Sequence, residues 1–313
     1  MGDDIRLAVI GVGVHGARHA RAFAEMPGVE LVGVADIDEA VARSVAEACP
    51  TSAVADFQAL LDRVDAVSIA VPANRHFEVA RACLERGVHV FLEKPIAETT
   101  EQAAELVELV RGTPTVFQIG HVERFNPAIT ALERIVHRPR FIEAHRLCVY
   151  TPRITDVGVV MDLMIHDLEV ILHLVGSPVT SVSAIGVNVL NRTEDIANAR
   201  LEFANGCIAN ITTSRISPEP MRKIRLFQQD AYISLDYRAQ EGLIYRAQDG
   251  TIAREPVPTK KGEPLRIELA EFVECVRRGA EPRVGGEQAT RALELALDIL
   301  RDIARRNECL ESC

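Results

Sequence analysis

The chain has 313 residues and a mass of 34.4 kDa, enough for about two average domains. Hydrophobic residues make up 48% and charged residues 26%, which excludes a disordered tail, a collagen-like repeat and a small disulfide scaffold. The net charge of −10 argues against a sequence-independent grip on nucleic acid or on an anionic membrane.

No apolar run approaches the roughly 20 residues that span a bilayer. The start, Met1-Gly2-Asp3-Asp4, is acidic where a signal peptide is basic. The seven cysteines, Cys49, Cys83, Cys148, Cys207, Cys275, Cys309 and Cys313, are scattered and contain no C-x-x-C pair. That usage suits reduced thiols and predicts a cytoplasmic protein. Cys207 lies in an apolar run and reads as a core residue.

From the N-terminus, an apolar run over 5–10 leads into glycines and a helix over 17–25. A strand over 30–35, a helix over 39–49 and apolar runs over 65–71 and 88–92 follow. Between the last two, an apolar stripe over 76–86 reads as a helix closed by Gly87. Thr100 is placed to cap a helix through 111, before a strand over 115–119. Strands alternating with helices predict a parallel sheet with right-handed crossovers, a doubly wound α/β domain over 1–121.

Beyond residue 121 the pattern changes. A strand over 140–149 and a long helix over 157–174, ended by Gly176, precede five or six strand-like runs. Asn205-Gly206 and Asp249-Gly250 mark hairpins. Two helices, over 265–278 and 287–307, finish the chain. The expectation is a second, α+β domain over 122–313 with an open, mostly antiparallel sheet, its terminal helices free to pack back on the first domain.

Gly11-Val12-Gly13-Val14-His15-Gly16 stands between the first strand and the first helix, with Asp36 ending the next strand 20 residues after Gly16. In that setting the G-x-G-x-x-G spacing is a dinucleotide fingerprint. Gly11 permits the turn, Gly13 the approach of a pyrophosphate, and Gly16 the packing of helix on sheet. The helix N-terminus supplies N–H groups to the phosphates. Asp36 accepts from ribose hydroxyls and repels a 2′-phosphate, so NAD is preferred to NADP.

Glu93-Lys94-Pro95 follows the strand over 88–92, where ligands of doubly wound folds bind. Lys94 there can hydrogen-bond a substrate hydroxyl and stabilise an alkoxide, or be a solvated surface lysine. Asp162 and His166, four apart on the long helix, share a face and stand next to each other. A carboxylate beside an imidazole makes a proton acceptor near neutral pH; the competing reading is a satisfied core histidine. No set of residues has the spacing of a metal site.

The ordered set G-x-G-x-x-G, Asp36, Pro72…His76, Glu93-Lys94-Pro95 and Asp162-x-x-x-His166-Asp167 resembles the Gfo/Idh/MocA oxidoreductases over the whole chain. The resemblance implies a Rossmann domain, an α/β second domain whose open sheet often makes an oligomer interface, and hydride transfer between NAD(P) and a sugar or cyclitol carbon. It implies that Lys94 and His166 are the catalytic pair, with Asp162 positioning substrate. It adds Pro72, His76 and Glu93 to the cofactor contacts made by Gly11 to Gly16, Asp36 and Lys94. Gly120-His121-Val122-Glu123-Arg124-Phe125-Asn126-Pro127, the segment from Asp195 to Arg200 and that from Phe227 to Tyr237 resemble a narrower group, bacterial UDP-N-acetylglucosamine 3-dehydrogenases. That group feeds a partner aminotransferase that makes a 3-amino sugar for lipid A, and the expected assembly is a homodimer or homotetramer.

A nucleotide sugar carries two phosphates, and Arg is suited to grip them. Arg124, with Asn126 beside it, and Arg153 are the expected substrate contacts. The run Arg222-Lys223-x-Arg225, placed with Arg215 around a loop, is either a second phosphate site or a solvated strand edge. Two other functions compete: a dehydrogenase of a free sugar or inositol without a phosphate pocket, and a dinucleotide-sensing regulator without catalysis. Retention of Lys94 and His166 argues against the regulator.

Overall fold

A computed structural model describes residues 4–151, 157–248 and 250–311. The chain folds into two compact units. The first comprises Met1–His121 with Leu265–Arg291, the second Val122–Pro264 with Ala292–Cys313.

In the first unit the order is β1 (Ile5–Ile10), α1 (Val14–Ala24), β2 (Val29–Ala35), α2 (Glu39–Ala48), β3 (Ser52–Val54), α3 (Gln58–Leu61) and β4 (Ala66–Ile69). Then come α4 (His76–Leu84), β5 (His89–Glu93), α5 (Thr100–Val110) and β6 (Phe117–Gly120). Every neighbouring pair is parallel, in the order β3-β2-β1-β4-β5-β6. The strand order reverses at β1/β4, the switch point at which such sheets hold their ligands. β4 and the middle of β5 are buried along their length, as strands covered on both faces must be, and this is why they read as unbroken apolar runs.

Local chemistry sets the helix ends. Asp38 caps α2 by accepting from the N–H groups of Ala40 and Val41. α5 is capped by Thr99, one residue before the expected Thr100, through a hydrogen bond from Gln102 N. Gly87 sits at φ +72 after α4, in the left-handed region that closes a helix.

The second unit begins with α6 (Pro127–Leu132), capped by Asn126 with Pro127 in its first turn. It continues with β7 (Phe141–Leu147), a π-helical segment Val160–Met164, α7 (Ile165–Val175), β8 (Val179–Val187), β9 (Ile196–Phe203) and β10 (Ile208–Ser214). β11 (Met221–Gln228), β12 (Ala231–Asp236), β13 (Glu241–Gln248) and β14 (Thr251–Pro256) complete an eight-stranded sheet, ordered β14-β13-β12-β11-β7-β10-β9-β8. It is antiparallel except where β10 runs parallel to β7. Strands such as β7 and β12 alternate buried with half-buried positions, so one face builds the core and the other is open. α6, the π segment, α7 and residues 292–303 supply the apolar cover. Cys207 belongs to this core, and burial pushes its thiol up to about 11.

The last two helices are α8 (Pro264–Arg278) and α9 (Gly286–Glu311). The expected second domain, residues 122–313, is therefore interrupted. α8 contributes Leu269, Phe272 and Val273 to the core of the first unit, and α9 is shared, its stretch from Ala292 counting with the second. Amphipathic helices reveal that a face is buried but not against what. Of the second expected hairpin, Asp249 lies outside the described residues, while β13 and β14 on either side of it pair in register.

Candidate active site

The first unit assembles its polar residues at the carboxyl ends of β1, β2, β4 and β5. Gly11 is at φ +79, and a Cβ there would stand 2.7 Å from Val71 N. A Cβ on Gly16 would come within 1.8 Å of the Gly11 carbonyl oxygen. Both positions therefore require glycine for the fold itself. Gly13 differs: nothing lies within 4 Å of where its Cβ would be. It is the N-cap of α1, exposed and without a side-chain cap, so the first-turn N–H groups meet open space that any side chain would fill. Val14 and His15, in the first turn of α1, are exposed beside it. The Asp36 carboxylate is pinned by Val12 N at 2.9 Å and Asp38 N at 3.0 Å, which leaves acceptor capacity for a ribose. Open glycine, uncapped helix and anchored carboxylate fit the pyrophosphate and adenosine ribose of NAD.

Glu93 ends β5 and Lys94 follows it, half-buried. A residue that sequence reasoning missed holds Glu93: His19, buried on α1, places Nε2 3.2 Å from Glu93 Oε1 and Nδ1 2.8 Å from Ser68 Oγ. Burial opposes the Glu93 carboxylate, but the His19 hydrogen bond and nearby Lys94 outweigh it and lower its pKa. His76 is buried at the start of α4 with Nδ1 2.6 Å from the Pro95 carbonyl and Nε2 2.9 Å from that of Val71. The burial depresses its pKa, although the two carbonyls pull the other way. A neutral imidazole donates through one nitrogen, so His76 donates to one of these carbonyls and holds its ring between the two. Pro72 is exposed in the loop after β4. Lys94 has a further signal in the composition: it is one of only four lysines in a chain with 35 Lys and Arg together.

In the second unit, Asp162 and His166 are both half-buried, but not on one regular helix. Asp162 lies in the π segment and His166 in the first turn of α7. The wider π turn changes the expected i, i+4 relation, and π turns recur at functional sites. The segment starts tightly: a Cβ on Gly158 would fall 1.9 Å from Glu194 Oε1, whose carboxylate accepts from Val160 N.

Of the arginines expected to meet phosphate, the described ones have carboxylate partners within the fold. Arg124 is buried, with Nη1 2.7 Å from Glu169 and Nη2 3.4 Å from Glu133. Asn126 caps α6 and donates to Glu123 and to the Tyr237 carbonyl. These two expected substrate contacts are thus internal to the fold. The basic run is neither in a loop nor at an edge, because β11 lies inside the sheet and alternation sends its side chains to opposite faces. Arg222 pairs with Glu123, Lys223 with Asp236 and Arg225 with Glu143. Arg215 is buried against the carbonyl of Glu194 and against Asp195. Arg153 lies outside the described residues.

Behind His166 is a buried ionic network that the sequence did not announce. Arg146 donates to Asp167 from Nε at 2.7 Å and Nη2 at 3.0 Å, and to Glu123 at 3.0 Å. Among the described residues no group of three or more His, Cys, Asp or Glu is placed to hold a metal, and no helix is long and apolar enough to cross a membrane.

Comparison with known proteins agrees with this geometry. Residues 5–121 match the oxidoreductase family with NAD-binding Rossmann fold, and residues 136–234 the GFO/IDH/MocA C-terminal domain. The chain is 36% identical to UDP-N-acetylglucosamine 3-dehydrogenase of Acidithiobacillus ferrooxidans over 302 residues, 94% of this chain and 96% of that enzyme. A solved structure of that enzyme superposes with a TM-score of 0.93 over 96% of this chain and 98% of the other. The chain is 28% identical to the scyllo-inositol 2-dehydrogenase (NAD(+)) of Bacillus subtilis, over 95% of this chain and 93% of the relative. A levoglucosan dehydrogenase solved with NADH and levoglucosan shares the fold, with a TM-score of 0.88, 18% identity and coverage of 97% and 98%. The chain belongs to the Gfo/Idh/MocA family of NAD-dependent oxidoreductases.

Proposed function

We propose that this chain oxidises the 3-hydroxyl of UDP-N-acetylglucosamine to a ketone. The observation that carries the reading is the 36% identity to the Acidithiobacillus ferrooxidans enzyme over 94% of the chain, which takes in the second unit as well as the common Rossmann half. When bound, NAD supplies the acceptor for the hydride that leaves the carbinol carbon. The chain's own side chains handle the hydroxyl proton. Lys94 donates a hydrogen bond to the hydroxyl oxygen and stabilises the alkoxide as the C–H bond breaks. His166 accepts the proton, and Asp162 orients the sugar. The first turn of α1 receives the pyrophosphate and Asp36 the adenosine ribose. The keto sugar so formed suits an aminotransferase that installs a 3-amino group, as lipid A carrying such a sugar requires.

One observation favours a second reading. Arg124, Arg215, Arg222 and Arg225 all have carboxylate partners within the fold, so none of these four is held ready for a phosphate. That suits a free sugar or an inositol. We also propose a homo-oligomer built through the open face of the second sheet. Across four adjacent strands of that face, Phe141, Phe227, Tyr232 and Tyr245 form a row with ring centroids 5.6, 4.6 and 5.0 Å apart. Leu243, on the same strand as Tyr245, and Ile252, on the adjoining β14, are exposed.

The deciding experiment follows NADH by absorbance with NAD and UDP-N-acetylglucosamine, with and without 2-oxoglutarate to reoxidise bound NADH, and identifies the product by mass spectrometry. A 3-keto nucleotide sugar is expected. Turnover of inositol or a free sugar, with none of the nucleotide sugar, would replace the substrate while keeping the chemistry.

A further inference from the structure

Two buried histidines from different helices grip the residues on either side of Lys94. On the N-terminal side, His19 holds Glu93 at 3.2 Å, and since an ionised carboxylate only accepts, Nε2 carries the shared proton. Ser68 Oγ, 2.8 Å from Nδ1, fixes the ring from behind, and Phe91 packs edge-on against it with centroids 5.5 Å apart. On the C-terminal side, His76 faces the carbonyls of Pro95 and Val71. Gly120 leaves room for the arrangement, since a Cβ there would be 3.1 Å from Glu93 Oε2. A buried polar side chain is expensive unless satisfied, so each histidine has a strong preference for this one geometry. His19 also lies on the helix whose first turn receives the pyrophosphate, so one rigid element touches both the cofactor loop and the residue before Lys94.

We propose that His19 and His76 are positioning residues for Lys94, fixing the backbone on both sides of it so that its ammonium group meets the hydroxyl oxygen in a reactive geometry. The inference rests on the reading of Lys94 as the residue that stabilises the alkoxide. Neither histidine touches the reacting atoms in this account; both act through the lysine.

The test uses two readouts. His19→Gln keeps a donor near the Nε2 position, whereas His19→Asn withdraws it from Glu93. His19→Asn is expected to lower kcat about 100-fold, the scale of a misplaced catalytic group. NAD affinity should stay within about two-fold, and His19→Gln should restore most of the rate. In a Lys94→Ala background the same His19→Asn change should add less than about two-fold, because nothing remains to be positioned. An undiminished loss in that background, or a parallel fall in NAD affinity, would overturn the proposal.

The second readout needs no turnover. With four lysines in the chain, reductive 13C-methylation gives a short set of lysine signals, and Lys94→Arg identifies that of Lys94. In the NAD-free protein, His19→Asn and His76→Leu are each expected to shift the Lys94 signal and leave those of Lys223, Lys260 and Lys261 in place. An unmoved Lys94 signal in either folded variant would overturn the proposal whatever the substrate proves to be. A shifted signal in a protein that leaves UDP-N-acetylglucosamine untouched would support the positioning and reject only the substrate.

Discussion

Arg146 of β7 grips Asp167 of α7 through two hydrogen bonds, 2.7 and 3.0 Å long, with both side chains almost wholly buried. The pair fixes the turn of α7 that carries His166. Burial pushes the Asp167 carboxyl upward and Arg146 pulls it back, while Glu123 on the other edge of the guanidinium is held below its ordinary range. Removing one member of such a network leaves uncompensated charge in the core. Arg146→Met is therefore expected to lower unfolding stability by about 3–5 kcal/mol. Adding Asp167→Asn should return part of it, and additive losses in denaturant unfolding would contradict the coupling.

Glu169 gives the second unit a pH dependence with a definite sign. Its carboxyl is buried, which raises the pKa to about 7 despite the Arg124 ion pair and the nearby His173. A folded pKa above the unfolded value means that the native state holds the proton more tightly. The stabilisation is present in full below the unfolded pKa of about 4.5 and is lost as pH rises through about 7, a change of about 3 kcal/mol. Unfolding free energies measured from pH 5 to pH 8 should fall accordingly, and Glu169→Gln should flatten the decline.

The three fingerprint glycines separate fold from function. Gly16→Ala puts a Cβ 1.8 Å from a backbone oxygen and should destabilise the first unit by about 3 kcal/mol or more. Gly13→Ala meets nothing within 4 Å at an ordinary φ of −62°, so thermal stability should be unchanged while NAD binding is lost. Parallel melting curves and NAD titrations read both outcomes.

Asp36→Ala removes the acceptor for a ribose and the partner of Val12 N at 2.9 Å. Loss of a hydrogen bond to a charged group predicts a fall in NAD affinity of about 10- to 100-fold, with NADP affected less because its repulsion is relieved. Unchanged preference between the two cofactors would remove Asp36 from the ribose site.

His166→Ala should lower turnover by about 100-fold or more while NAD binding in the first unit stays within about two-fold. Turnover equal to the parent would reassign His166 to a structural role.

Much of this molecule was legible because the relevant demands are local. Glycine at φ +79 or +72, an Asn-Gly turn between β9 and β10 and unbroken apolar runs in buried strands each leave a mark within a few residues. The dinucleotide fingerprint is of that kind, since turn, helix start and acidic residue lie on consecutive elements. The functions of the charged residues were not legible, because a cation's role depends on which carboxylate the fold brings within reach. Arg124 meets Glu169 across 45 positions, and His19 meets Ser68 across 49. The basic run on β11 looked like one patch in sequence, yet strand alternation divides it between two faces. The π turn carrying Asp162 was hidden for a related reason: a helix repeat is read from apolar spacing, and a five-residue turn whose first N–H is held by Glu194 does not announce itself there. The sequence by itself determined the parallel sheet, the cofactor class and the candidates for proton transfer. Only the tertiary structure decided which side chains stay available to a ligand and which are spent in the interior, because burial and partnership are set by residues distant along the chain.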